Sequence, residues 1–208
     1  MSDYQTLITT LHRFAEQARH RPLKLGEALD SLDEAAYAFI AIILTLPFLQ
    51  PMPLGPITVA AGVGFAALGV QLLRGHESPV LPKRLREAEL SEKAWRTIVK
   101  ICLRILGFCR KFTRPRMQHL VTGALGRKIG GVTLLVGGVL MAIPFPIPLP
   151  GNNALPALAI LFQAIGELEE DGLMVFVALF WVVVTLLYFA AYFLTLWFFG
   201  REALAFVS

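Results

Sequence analysis

The side chains that could do chemistry in this sequence stand at the borders of apolar stretches. Four carboxylates, Glu167, Glu169, Glu170 and Asp171, follow one stretch directly, and Asp33 and Glu34 precede another. Such clusters are either solvated helix ends or a vestibule that gathers cations. Inside the stretches the polar groups near irregular backbone are Gln50, Thr58, Asn152, Asn153 and Gln163. These amides and this hydroxyl can hydrogen-bond a substrate, but they do not relay protons as a mid-membrane carboxylate would. Asn152 and Asn153 precede Ala154, where an Asn also serves as an ordinary helix N-cap, and the two roles are compatible.

Catalytic constellations are missing. His12, His20, His76 and His119 all fall outside the apolar runs, no His/Cys or His/Glu spacing suggests a metal, and no glycine-rich phosphate loop follows a strand. Cys102 and Cys109 share a helical face but lie about 10 Å apart, too far for a disulfide or a shared metal. They read as two small apolar residues. The sequence therefore predicts no catalytic residue, no metal, no cofactor and no enzyme.

What must position these groups is membrane-embedded helix. Of 208 residues 56% are apolar and 16% charged, against roughly 25% charged in a soluble domain. No Asp, Glu, Lys, Arg or His occurs in Ala35–Leu73, Ile129–Gly166 or Gly172–Gly200, and apolar runs beyond about 18 residues read as embedded. Met1–Arg21 is polar and mixed in charge, so no cleavable signal is expected there. Leu7, Leu11, Phe14 and Ala18 repeat at helical spacing and predict a short amphipathic helix, packed on the protein or laid on the membrane surface.

The first run is broken by Pro47, Pro51, Pro53, Gly55 and Pro56, which cannot belong to a continuous helix. Two half-helices remain, Ala35–Leu46 and Ile57–Leu73, of about 18 Å and about 25 Å, both short of a hydrocarbon core of about 30 Å. A re-entrant hairpin fits better than two full spans. The second run repeats the design, with Pro144, Pro146, Pro148, Pro150 and Gly151 between Ile129–Ile143 and Ala154–Gly166. A shift of 97 positions (144 minus 47) aligns Pro47 with Pro144, Phe48 with Phe145, Pro51 with Pro148 and Pro53 with Pro150. It also aligns Phe65 with Phe162, Ala67 with Ala164 and Gly69 with Gly166. This reads as an internal duplication.

Of 19 Lys and Arg, 14 lie between Arg74 and Lys128, which places that segment in the cytoplasm by the positive-inside tendency. Within it Trp95, Val99, Cys102, Ile105 and Cys109 form one helical face, with Arg96, Lys100 and Arg104 opposite. A membrane span would bury Lys100 and Arg104 at about 2.5 to 3.5 kcal/mol each, so an interfacial helix whose basic face meets lipid headgroups is preferred. Lipid is a better partner for this segment than nucleic acid. Gly172–Gly200 predicts a C-terminal membrane helix that tilts, bends or divides into a pair. Since nothing between the hairpins looks like a crossing, both should enter from one leaflet.

The chain is thus expected to be one all-helical membrane domain over 1–208: an amphipathic segment 1–34, hairpin repeats at 35–73 and 129–166, a basic cytoplasmic segment 74–128, and a C-terminal membrane region 172–200. Small residues such as Ala60, Ala61, Gly62, Gly64 and Gly69 would let helices approach closely, and a homodimer through such faces is one outcome.

Several stretches together resemble the bacterial exopolysaccharide synthesis protein ExoD family: the proline-broken hairpin Leu46–Arg74, the segment from Ser78 to Leu85, Pro150-Gly151-Asn152-Asn153-Ala154-Leu155-Pro156, and Glu169-Glu170-Asp171-Gly172. The resemblance runs from about Leu23 to Trp197. It implies a bacterial inner-membrane protein associated with exopolysaccharide production and, in some members, with alkaline tolerance; it supplies no active site. Three roles follow as expectations. The first is a transporter-like component whose proline loops form a pathway for polysaccharide or lipid-linked saccharide. The second is a non-transporting scaffold for polysaccharide-synthesis proteins. The third is an ion or proton carrier using the acidic cluster.

Overall fold

The structure is a computed structural model that describes residues 3–32, 35–50, 54–145 and 149–207. Pro51, Pro53, Pro146 and Pro148, part of the expected helix breaks, lie outside the described residues. The described residues are mostly helical and include one two-stranded ladder, in which β1 (Leu23–Lys24) pairs antiparallel with β2 (Glu89–Leu90).

A base is built from the charged parts of the chain. It contains α1 (Asp3–His20), α2 (Leu25–Asp30), α5 (Lys83–Arg86) and α6 (Glu92–Cys109). Leu11, Phe14 and Ala18 of α1 are buried against Trp95, Val99 and Cys102 of α6, with the Phe14 and Trp95 rings 5.6 Å apart. The Trp95 indole donates to the Leu23 carbonyl at 3.0 Å, which ties α6 to the ladder. The apolar faces of both amphipathic helices are therefore spent on each other. The apolar face of α6 turns into the protein instead of toward lipid, while Arg96, Lys100 and Arg104 remain exposed.

Above the base stands a bundle of α3 (Ala35–Thr45), α4 (Pro56–Leu73), α7 (Gly123–Ala142), α8 (Ala154–Glu169) and α9 (Leu173–Val207). Pro47 does not end the first helix outright: α3 tightens into a 3-10 turn over Leu46–Leu49. Pro56 takes the first turn of α4, where its missing N–H costs nothing, after Gly55 at φ 57°. That backbone angle favours glycine. α7 starts at Gly123, six positions before the expected Ile129, and absorbs Arg127 and Lys128. It thereby gains the length to cross a bilayer, as do α4 and residues 173–198 of α9. α9 is one continuous helix, not a pair. Its 26 apolar residues reach about 39 Å, so it must tilt across a core of about 30 Å.

Burial sorts the bundle into inner and outer helices. Every residue of α3 from Ala36 to Ile42 is at most 5% exposed, and α8 buries Ala157, Ile160, Gln163 and Ala164. Helices apolar on all sides need protein on all sides. The outer helices instead expose large apolar side chains: Ile57 and Val63 on α4, Val132 and Val139 on α7, Phe180, Leu187 and Leu194 on α9. Water would make that surface untenable, whereas hydrocarbon suits it.

The tightest contact joins α4 to α7. A Cβ on Gly69 would stand 2.5 Å from the Leu135 nitrogen and 2.6 Å from the Gly131 oxygen, and one on Gly62 would stand 2.6 Å from the Gly138 oxygen and the Ala142 nitrogen. Position 62 thus faces 138–142 while 69 faces 131–135. The helices run antiparallel at backbone contact, the close approach that small residues allow in membranes.

Candidate functional site

The antiparallel pairing fixes where the loops lie. The start of α4, just after the first proline loop, meets the end of α7, just before the second. Both loops are therefore at the same end of the bundle, and the base is at the other.

At the loop end the chain is pinned to α9. Tyr188 donates its hydroxyl hydrogen to the Pro150 carbonyl at 2.7 Å, and the Phe145 ring centre lies 4.6 Å from Phe189, 5.2 Å from Tyr192 and 5.7 Å from Phe193. These aromatics were not among the expected site residues. Their spacing on α9, Tyr188 with Tyr192 and Phe189 with Phe193, was the available signal. Thr58 is buried in the first turn of α4 and its Oγ1 has no hydrogen-bond partner. Asn153 occupies the N-cap position of α8 and is buried, but its side chain makes no capping bond. Asn152 is partly exposed, and Gln50 is exposed with its amide nitrogen 3.4 Å from the Pro47 oxygen. Gln163, more than two helical turns farther along α8 than Asn153, stands away from the loop end. The five expected pathway residues are consequently not one cluster.

At the base end the acidic cluster separates into four environments. Asp171 is fully buried, and it is no solvated helix end. Arg116 donates to it twice, Nε to Oδ1 at 2.9 Å and Nη2 to Oδ2 at 3.1 Å. The Arg114 N–H donates to Oδ2 at 3.1 Å and the Leu173 N–H to Oδ1 at 3.0 Å. Burial pushes against ionisation, yet these bonds and the Arg116 charge outweigh it and hold the carboxyl below its ordinary range. Asp171 thus caps α9 and anchors the loop after α6. Glu170 adopts a left-handed conformation that ends α8, and Gln118 donates to its carboxylate. Glu169 faces the end of α6. Burial pushes its carboxyl up to about 7, against the opposing pull of Arg110 and a Thr113 hydrogen bond. Glu167 turns inward toward α7, where Gln163 Nε2 donates to its Oε1 at 3.0 Å.

The cysteines offer no nucleophile. Burial pushes Cys102 up to about 12, and burial with the Glu169 charge pushes Cys109 up to about 11; thiols this hard to ionise are inert.

Long lipid-suited helices around a buried pair, set on a cationic base, define a helical integral membrane protein. Residues 7–191 match the ExoD family, described as exopolysaccharide synthesis. The chain belongs to this family. It is 28% identical to Protein ExoD of Rhizobium meliloti over 186 residues, covering 89% of this chain and 77% of that protein. It is 30% identical over 160 residues to an uncharacterised protein of Synechocystis sp., covering 77% of this chain and 74% of the other. No solved structure matches.

Proposed function

We propose that this protein is a non-catalytic component of exopolysaccharide synthesis in the bacterial inner membrane, acting as a one-sided scaffold. The observation that carries this reading is the position of both proline loops at one end of the bundle, opposite the base. Alternating access is usually built from repeats that enter from opposite leaflets, and this arrangement differs. The base carries most of the cationic charge, which favours a cytoplasmic base. Its exposed Arg96, Lys100 and Arg104 offer a docking face for synthesis proteins, while Phe108 and Phe112, 61% and 64% exposed, suit contact with the lipid interface.

The duplication belongs to the same reading. α4, the second helix of hairpin one, packs on α7, the first of hairpin two; α8 packs in return on α3. Intermeshed hairpins related by a twofold would pack this way. Ala35–Leu49 and α8 are short for a crossing while α4 and α7 are long enough, so each hairpin joins a short inner to a long outer helix, in opposite order in the two.

Side-specific labelling tests this. In a C102A/C109A background, single cysteines at Met52 and Asn152 should react from one face of the membrane, and one at Ser91 from the other. Labelling of the two loops from opposite faces would overturn the scaffold in favour of a carrier. The carrier remains the second reading because Thr58 and Gln163 are buried with unpartnered oxygens, groups a polar substrate could satisfy.

A further inference from the structure

Gln163 and Glu167 lie one turn apart on α8, Gln163 buried inside the bundle and Glu167 half-buried against α7. Gln163 is 1% exposed, its Nε2 donates to Glu167 Oε1 at 3.0 Å, and its own Oε1 has no hydrogen-bond partner. α7 comes so close here that a Cβ on Gly130 would run into Glu167 Oε1, with Leu72 of α4 alongside. An amide oxygen and a carboxylate thus share an apolar cleft with one donor between them. A buried acceptor left without a donor is destabilising, and an ionised carboxylate in such surroundings is more so.

One proton relieves both. A carboxylic acid and a primary amide are complementary: the amide N–H donates to the acid's carbonyl oxygen, and the acid O–H donates back to the amide oxygen. The first of these two bonds is present, and Gln163 Oε1 is a buried acceptor still without a donor. A metal cation fits worse, since hard cations take about six or more oxygens. We propose that Glu167 and Gln163 form a proton-binding site, with the carboxyl of Glu167 protonated and closed onto the Gln163 amide in a two-bond ring.

The charged groups on the elements around α8 bound the alternative. α7 brings Arg127 and Lys128, α4 ends before Arg74, the turn after α6 brings Arg110, α1 carries Arg13 and Glu16, and Glu169, Glu170 and Asp171 follow on the same strand of chain. α3 and residues 173–198 of α9 carry none. A cation from α7 would hold Glu167 ionised instead.

Infrared spectroscopy of the full-length protein in lipid nanodiscs at neutral pH decides between them, independently of any polysaccharide phenotype and therefore of the scaffold reading. The E169Q background removes the buried carboxyl at the end of α8, whose burial favours its protonated form and would add a band of its own. The expected result is a protonated-carboxyl C=O band that disappears in E167Q and moves to higher frequency in Q163L, which lacks the amide donor. Identical spectra with and without E167Q would overturn the site. Should Q163L fail to fold, the E169Q protein alone still tests the proposal: its band must persist to a pH at which exposed carboxyls have lost theirs, and an early loss would equally overturn it.

Discussion

Asp171 and Glu169 stand two positions apart, and their surroundings shift the two carboxyls in opposite directions. Asp171 is held below its ordinary value of 3.8, so the stability it contributes is present above that value and is lost as pH falls through the lower folded one. Glu169 is pushed from 4.5 to about 7, so its contribution is complete below 4.5 and is lost as pH rises through about 7. E169Q should therefore melt at a higher temperature than wild type above about pH 7 and show no such gain below pH 4.5. Scanning fluorimetry in detergent across that range measures it. D171N removes the charge that accepts two backbone N–H groups and Arg116, and should cost about 2 kcal/mol, seen as a lower melting temperature at neutral pH. Arg116 is 42% exposed, so most of that loss belongs to the backbone donors. None of this was readable from spacing alone. A carboxylate next to an apolar run looks like any solvated helix end, and the partner that buries Asp171 is 55 residues away in sequence.

Between helices, the glycines of α4 separate into two kinds that the sequence does not distinguish. Gly69 faces the backbone of α7, whereas a Cβ on Gly64 would meet nothing within 4 Å. Gly69→Ala should force α4 and α7 apart and destabilise the bundle by about 1–3 kcal/mol, while Gly64→Ala should be neutral or stabilising by up to about 1 kcal/mol through helix propensity. Thermal aggregation of the two variants, followed by gel filtration, checks the contrast; equal behaviour would mean that the helices are not in backbone contact. The interruptions of helix near Pro47 and Pro144 and the close-packing Gly62 and Gly69 were legible because proline and glycine act on the local backbone, whereas α4, expected to fall short of a crossing, is long enough for one. The start of α7 was not. Arg127 and Lys128 look like the end of an embedded segment, but no proline lies between Gly123 and Ile129 and the one glycine there, Gly126, is buried inside the helix, which runs on through them. The apolar stripe of α6 was legible as a stripe, though its partner was not: α1 supplies a complementary face that competes with lipid.

For the whole molecule, the separation of a loop end from a cationic base makes the two ends independently testable. Arg96, Lys100 and Arg104 are exposed on α6, opposite the buried Trp95, Val99 and Cys102. Reversing all three to Glu should leave insertion and folding intact, because nothing in the buried face changes. The Arg96 to Glu92 pair is lost, but an exposed i,i+4 pair is worth only about 0.3–0.5 kcal/mol. The effect should fall on association instead. If the basic face docks synthesis proteins, R96E/K100E/R104E should lose co-purification with them and lower exopolysaccharide yield several-fold at unchanged protein level. If the face meets only anionic lipid, each charge near the surface contributes about 1 kcal/mol, and the triple variant should weaken membrane apposition of the base while yield is kept. Replacing Asn152 and Thr58 at the other end with alanine provides the counterpart. A yield that depends on those residues and is indifferent to the basic face would place the working surface at the loops and return the protein to the carrier reading.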